Sequence, residues 1–226
     1  CVGIAGLHVA TADGDEIVTY ALGSCLGITM YDPVAKVGGL VHVMLPESKI
    51  DKVKAEKQPG MFVDTGVPAL LDAMTRTGAS RHRLRIAVAG GAAANMSGKD
   101  HFQIGERNFR AFEALMAQVG MRVIAQEVGG TNCARTMTLA IATGSVEIRA
   151  DGATPVRVTP DANANDNDND LNFVRADRQA EFDRSFDCAF VQHRQHAGQR
   201  EIDHARLRVG RRAIGGGSAR EDFGVR

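Results

Sequence analysis

The chain of 226 residues contains no tryptophan, and aromatic residues make up only 5% of it. A surface that stacks single-stranded nucleic acid needs several exposed aromatic rings, so this composition argues against that function. An excess of charge of either sign is also missing, because 27 Lys and Arg balance 27 Asp and Glu. This balance excludes a nucleic-acid binder driven by bulk electrostatic attraction, and equally an acidic solvating tail.

Long apolar runs and paired cysteines are absent as well. No stretch approaches the ~20 uninterrupted apolar residues of a membrane-spanning helix, and no basic segment leads into an apolar signal sequence. We therefore expect a cytoplasmic protein. The four cysteines form no Cys-x-x-Cys pair and are widely scattered, at Cys1, Cys25, Cys133 and Cys188. Their spacing argues against a disulfide framework and a structural zinc site, so each thiol is considered singly.

The composition changes near residue 153. Every lysine lies at or before Lys99, and residues 154–226 contain none. This C-terminal part includes a run of Asn and Asp between residues 161 and 172, which cannot bury apolar surface. The sequence thus predicts a folded domain over residues 1–153, followed by a linker and a largely disordered tail over residues 154–226. A change of reading frame in the gene is an alternative explanation of the tail's composition.

Short runs of β-branched or apolar residues bounded by Gly, Asp or Pro predict strands in the first 153 residues. They lie at residues 16–22, 28–31, 39–45, 84–89, 121–128, 136–143 and 146–149. Gly144 and Ser145 between the last two runs predict a hairpin turn. The lysine-rich segment 49–57 is interpreted as a solvated, flexible connection.

Apolar residues recur at helical spacing in two segments, residues 65–77 and 106–119, and a glycine follows each. Both segments are therefore predicted to be helices. With strands before, between and after them, the natural arrangement is helices packed on a sheet. The sequence predicts an α/β fold with α+β-like layering, in which a mixed β-sheet packs with two or more helices.

The residues best suited to chemistry lie in and around the first predicted strands. Cys25 stands between Gly23 and Gly27, in a break between two strands, where glycines permit the close approach of a substrate. His42 interrupts an apolar strand, in which an imidazole packs no better than a leucine. If the two strands pair, His42 returns near the Cys25 turn, and the Thr19 hydroxyl can orient the imidazole. On spacing alone, a buried structural role for each side chain is the commoner outcome.

The same stretch resembles the signature of the CheD family, the chemoreceptor glutamine deamidases. Its elements are Thr19, the Leu-Gly-Ser-Cys run ending at Cys25, a Tyr-Asp-Pro turn, and a Gly-Gly-x-x-His-x-x-Leu-Pro run containing His42. Further matches follow at Ala89-Gly90-Gly91-Ala92, at Ile104-Gly105-Glu106-Arg107-Asn108, and at Gly129-Gly130 with Arg135. The resemblance covers about residues 1–150 and does not include the tail. It departs from the family pattern at Ala89, where the family has Phe, and around Cys133.

The resemblance implies that residues 1–153 form a deamidase domain. Cys25 is then the nucleophile, His42 the general base and acid, and Thr19 the third member, with backbone N–H groups near residues 23–25 facing the oxyanion. The implied reaction converts specific glutamines of methyl-accepting chemotaxis receptors to glutamate, and hydrolyses glutamyl methyl esters. No metal or organic cofactor is implied. A CheC-type phosphatase is implied as a second partner besides the receptors.

Two other functions stay open from the sequence. A non-catalytic or weakly catalytic binding module would regulate a CheC-type phosphatase or a receptor array, although retention of Thr19, Cys25 and His42 argues against it. A general thiol amidase or protease would act on substrates other than receptors. The choice of glutamines depends on a surface that the sequence does not identify.

Overall fold

A computed structural model describes residues 1–93, 102–150 and 153–158, together with the backbone of one further strand at Val174–Arg175. The strands are β1 Leu7–Ala10, β2 Glu16–Leu22, β3 Leu26–Asp32, β4 Val37–Val43, β5 Arg85–Gly90, β6 Val123–Val128, β7 Arg135–Ala140, β8 Val146–Ala150, β9 Val156–Val158 and β10 Val174–Arg175. The helices are α1 Lys52–Lys57, α2 Val63–Arg76 and α3 Ile104–Val119. Each predicted strand and both predicted helices are confirmed, with ends displaced by a few residues.

The described strands form two separate sheets. Sheet A has six strands in the order β1-β4-β3-β5-β6-β10. It is mixed, because β6 runs parallel to β5 and β10 while its other pairs are antiparallel. Sheet B has four antiparallel strands in the order β2-β7-β8-β9. The predicted mixed sheet is therefore present, and a second sheet accompanies it.

The helices and the two sheets form three layers, which confirms the predicted layered fold. Helices α2 and α3 cover one face of sheet A, where Leu26, Ile28 and Met30 of β3 share an apolar cluster with Leu70 and Phe112. Because alternate residues of a strand point to opposite faces, these even-numbered positions of β3 all meet the helices. Their burial anchors the central strand from which the candidate site is built.

A second apolar layer lies between the two sheets. Leu40 of β4 shares it with Met137 and Leu139 of β7. Strands β3 and β4 are buried along their whole length, as expected for strands covered on both faces. His42 shares the face of Leu40, as predicted, so its side chain enters the layer between the sheets.

Gly38 and Gly39 allow both neighbouring layers to approach β4 closely. A Cβ atom at Gly38 would lie 2.4 Å from Ile141 Cδ1, in the layer between the sheets. A Cβ atom at Gly39 would lie 2.7 Å from Leu70 Cδ1 of α2. Any larger residue would push one of the layers away from the strand that carries His42.

Helix α1 and strand β1 were not predicted from the sequence. The lysine-rich segment interpreted as a flexible connection contains helix α1, and the Asp51 side chain caps that helix by accepting from the Lys54 amide at 2.9 Å. The short strand β1 pairs with β4 at the edge of sheet A. Among the described residues, no helix combines the length and the apolar character that crossing a bilayer requires.

Regular β-structure continues past residue 153. Strand β9 pairs with β8, and Arg157 on it forms an ion pair with Glu147. The backbone of β10 lies parallel to β6. The domain boundary at residue 153 stays a prediction, and the rest of the predicted linker and tail lies outside the described residues.

Candidate active site

The turn at residues 23–25 carries the chain from sheet B to sheet A. It follows β2 and precedes β3, so Cys25 lies where the backbone crosses between the two sheets. The end of β2 is irregular, because its pairing with β7 shifts register between Thr19 and Leu22 and Ala21 has a left-handed φ of 57°. The Cys25 side chain packs in the layer between the sheets and is 9% exposed. Cys25 is thus nearly enclosed but keeps a small accessible surface.

His42 lies directly opposite Gly27 on the neighbouring strand. Cys25 precedes Gly27 by two residues, so it falls on the same face of sheet A, diagonal to His42. In a regular sheet such diagonal positions are about 7–8 Å apart, within reach of long side chains. Gly27 itself adds no side chain to this face of the sheet. A Cβ atom at Gly27 would lie 2.7 Å from Leu22 Cδ1 and 3.2 Å from Thr19 Cγ2.

Thr19 makes two hydrogen bonds that together fix the proton on the His42 ring. Its hydroxyl lies 2.8 Å from the Val2 carbonyl oxygen and 2.8 Å from His42 Nδ1. A carbonyl oxygen only accepts, so the single hydroxyl proton is donated to Val2. The hydroxyl oxygen must then accept from Nδ1–H. Neutral His42 consequently carries its proton on Nδ1 and a lone pair on Nε2.

The lone pair on His42 Nε2 is buried and has no hydrogen-bond partner among the described residues. Burial lowers the pKa of His42 and raises the pKa of the Cys25 thiol, because a low-dielectric interior disfavours the charged form of each. The two groups therefore rest as a neutral imidazole and a neutral thiol. A base with an unused lone pair and a nearly enclosed thiol on one face can carry out nucleophilic catalysis.

The three carbonyl groups of the turn are each held by a hydrogen bond from a neighbouring element. The Gly23 carbonyl accepts from the Ala92 amide at 2.8 Å, and the Cys25 carbonyl accepts from the Gly91 amide at 2.9 Å. The Ser24 carbonyl accepts from Asn108 Nδ2 on α3 at 2.9 Å. The backbone around the candidate nucleophile is therefore fixed from the end of β5 and from α3.

Two residues that shape this site were not singled out from the sequence. Asn108 appeared only within a motif, although it stands on the apolar face of a predicted helix, four residues before Phe112. A polar side chain in such a place needs a buried partner, and that is a readable signal. Val2 acts through its carbonyl group, which every residue possesses, so no sequence signal marks it.

The described histidines His8 and His82 do not join this buried cluster. His8 and His82 are exposed, and His101 lies outside the described residues. Cys133 is buried and Cys1 is exposed, while Cys188 lies outside the described residues.

Known proteins resemble this chain over most of its described part. The model of a protein family described as CheD chemotactic sensory transduction matches residues 44–150. A "Probable chemoreceptor glutamine deamidase CheD" of Solibacter usitatus is 42% identical over 151 residues, which cover 67% of this chain and 88% of the relative. A protein of the same name from Syntrophotalea carbinolica is 43% identical over 152 residues, covering 67% of this chain and 93% of the relative. One from Methanococcus maripaludis is 38% identical over 141 residues, covering 62% and 89%.

The range matched by the family model begins two residues after His42. It includes Asn108 and strands β7 and β8 of sheet B, and it does not include Thr19, Cys25 or His42. The support for the roles of these three side chains is therefore their geometry, and substitution of each residue tests those roles.

Proposed function

This chain belongs to the CheD family, and from that premise we propose that it converts glutamine side chains of methyl-accepting chemotaxis receptors to glutamate. Glutamyl methyl esters are hydrolysed by the same steps. Cys25 is the nucleophile, His42 is the general base and acid, and Thr19 orients His42. The observation that carries these roles is the chain of contacts from the Val2 carbonyl through the Thr19 hydroxyl to His42, which leaves Nε2 as the basic nitrogen.

The first half of the reaction forms a thioester. His42 Nε2 removes the Cys25 thiol proton as the sulfur attacks the side-chain amide carbon of the substrate. The carbonyl electrons move onto oxygen, and backbone N–H groups of the turn donate to this oxyanion. When the carbonyl re-forms, the C–N bond breaks and the imidazolium protonates the departing ammonia.

The second half regenerates the thiol. Neutral His42 Nε2 removes a proton from a water molecule, and the water oxygen attacks the thioester carbon. The C–S bond breaks, glutamate leaves, and Cys25 regains its proton from the imidazolium. With a methyl ester as substrate, methanol leaves in place of ammonia and the remaining steps are unchanged.

The enclosure of the site favours a side-chain amide as the substrate. Cys25 is 9% exposed and His42 is 1% exposed, so a slender group reaches them more easily than a segment of backbone does. Glutamine carries its primary amide at the end of a flexible, unbranched side chain. A protease must instead seat a peptide bond and both flanking residues at its nucleophile. This difference supports deamidation over a general thiol protease.

The proposal also gives the protein a location and partners. Receptors are the substrate, the protein acts in the cytoplasm, and a CheC-type phosphatase is the second partner, as the family resemblance implies. The relatives' names support the receptor, and the phosphatase and the location rest on the resemblance alone.

The deciding experiment incubates a receptor cytoplasmic fragment with the protein and follows each glutamine by peptide mass spectrometry. Wild-type protein and Cys133→Ala, a control at another buried cysteine, convert glutamine to glutamate. Cys25→Ala and His42→Ala do not. Conversion by Cys25→Ala would refute the assignment of the nucleophile. Restoration of chemotaxis by Cys25→Ala in a deletion strain would instead support a binding module.

A further inference from the structure

Asn108 on α3 is a fully buried polar residue that joins the two halves of the candidate active site. Its Nδ2 donates to the Ser24 carbonyl in the turn and to the Met44 carbonyl, each at 2.9 Å. Met44 follows His42 by two residues, so one amide group touches both the segment of the nucleophile and that of the base. Both partners are acceptors only, and this requires the NH₂ end of the amide to face them.

The geometry of the peptide bond turns this contact into a constraint on the Cys25 amide. A trans peptide unit is planar, and its C=O and N–H bonds point in opposite directions. The Ser24 carbonyl and the Cys25 N–H belong to the same unit. Because Asn108 holds the Ser24 carbonyl, the Cys25 N–H points away from α3. The Ala92 amide acts on the Gly23 carbonyl in the same way and so directs the Ser24 N–H.

These two N–H groups are the donors of the turn that have no partner among the described residues. The Gly23 N–H donates to the Ala21 carbonyl at 2.9 Å, whereas the amides of Ser24 and Cys25 have no backbone acceptor among the described residues. The Cys25 amide belongs to the residue whose sulfur would form the new bond. An N–H group held there lies close to the oxygen of any carbonyl that the sulfur attacks, which is the requirement for an oxyanion hole.

We infer that Asn108 is a positioning residue, which aims the Cys25 N–H at the developing oxyanion by holding the Ser24 carbonyl. The inference rests on the proposed function for the identity of the substrate, but it applies to any carbonyl compound that Cys25 attacks. A merely structural Asn108 would fasten α3 to the turn and would affect every reaction of the thiol alike. The two roles are therefore separable by the kind of electrophile.

The experiment compares two reagents on the full chain. The Cys25 sulfur attacks the ester carbon of 4-nitrophenyl acetate, which passes through an oxyanion and releases nitrophenolate. The sulfur displaces iodide from iodoacetamide without forming any oxyanion. Both reactions use the same Cys25 sulfur as the nucleophile, so the change in the ratio of acylation rate to alkylation rate between wild type and variant isolates the effect on the oxyanion. Rates for the Cys25→Ala protein are subtracted to remove the other cysteines.

Two variants and one control complete the design. Asn108→Leu removes both donors at nearly constant volume, and Asn108→Ser leaves room for water to solvate the freed carbonyls if the leucine variant fails to fold. Phe112→Leu reduces core packing one turn further along α3 without touching the Ser24 carbonyl. We expect both Asn108 variants to lose about 10²-fold in the rate ratio, the loss expected for one oxyanion-hole donor. Phe112→Leu keeps the ratio within about 3-fold.

The outcomes are distinct. A ratio that stays within about 3-fold of wild type in the Asn108 variants would overturn the inference, as would an equal loss in Phe112→Leu. A wild-type Cys25 that is alkylated but acylated no faster than an ordinary thiol would overturn it as well. A protein that keeps the predicted ratios but deamidates no receptor would refute the proposed function and leave the assignment of Asn108 intact.

Discussion

The hydroxyl of Thr19 in sheet B and the imidazole of His42 in sheet A meet at 2.8 Å across the buried layer between the two sheets. Both residues are almost completely buried. The contact therefore links the packing of one sheet on the other to the orientation of the candidate base. The Val2 carbonyl completes the link by accepting the only proton that the Thr19 hydroxyl can donate.

Removal of the Thr19 hydroxyl is expected to impair catalysis through His42. Thr19→Val keeps the shape of the side chain but leaves Nδ1–H and the Val2 carbonyl unpartnered in a buried layer. The ring then loses its fixed tautomer and orientation. We expect a decrease in kcat of about 10²-fold, the lower end of what a positioned base contributes, and retention within about 3-fold in Thr19→Ser. Steady-state deamidation of a receptor fragment measures both.

Thr29→Val is the matched control for this comparison. Thr29 is also a buried threonine, and its hydroxyl donates to the Ala87 carbonyl at 3.4 Å rather than bonding to His42. The same substitution there tests whether loss of any buried hydroxyl is enough to lower kcat. Equal decreases in the two valine variants would contradict the assigned role of Thr19.

The sequence was sufficient to predict seven of the ten described strands, the two long helices and the layering, because each depends on local patterning. The existence of two sheets depends instead on which strands pair. Glu16 of β2 lies opposite Ala140 of β7, and no local pattern reports a contact across so many residues. One hint was available in the sequence: threonines alternate with apolar Met137 and Leu139 in β7, and these apolar positions are buried. Alternation is typical of a sheet covered on one face.

The site shows the same division between local and non-local information. Cys25 between glycines and His42 in an apolar strand stood out by residue type, and the pairing of β3 with β4, which was the condition for bringing them near each other, is present. The Thr19 contact needed sheet B to pack on sheet A, which the sequence did not show. The carbonyl of Val2 and the amides that hold the turn are backbone groups, and their roles come from tertiary structure alone.

Gly27 is expected to be essential because it lies opposite His42 without a side chain. The Cβ atom of Gly27→Ala would press on Leu22 at 2.7 Å and on Thr19 at 3.2 Å. Overpacking of this kind costs about 1–3 kcal/mol in stability, and any shift of Thr19 also moves the imidazole. We expect a lower free energy of unfolding together with reduced kcat. Gly14→Ala, whose Cβ atom meets nothing within 4 Å, should change neither. A fully active Gly27→Ala protein would show that the site tolerates a side chain opposite His42.

The hairpin turn predicted at Gly144 offers a test of stability alone. A Cβ atom there would lie 2.2 Å from the ring of Tyr31, a buried residue whose hydroxyl donates to the Ile141 carbonyl at 3.0 Å. Gly144 also has a left-handed φ of 70°. Gly78 has a positive φ of 103° with open space around it, so Gly78→Ala measures the backbone cost by itself.

We expect Gly78→Ala to lose about 1 kcal/mol of unfolding free energy, and Gly144→Ala to lose about 3 kcal/mol because overpacking adds to the backbone cost. Urea denaturation of both variants measures the difference. Similar losses in the two proteins would show that the Tyr31 ring moves aside without cost.

The pKa directions of the candidate pair predict the pH dependence of the reaction. Burial lowers the pKa of His42 from its ordinary value of 6.5, so the neutral base persists to lower pH and kcat/KM falls only as the pH drops below that value. Burial raises the pKa of Cys25 from its ordinary value of 9.0, so alkylation by iodoacetamide without substrate accelerates only above that pH.

A thiolate–imidazolium pair formed in advance would behave oppositely, because its thiol would react rapidly near neutral pH. His42→Ala should abolish deamidation at every pH yet keep the alkaline rise in alkylation. A plateau of fast alkylation near neutral pH in the wild-type protein would refute the neutral resting pair. Loss of that plateau in His42→Ala would show that Cys25 had protonated the imidazole before any substrate arrived.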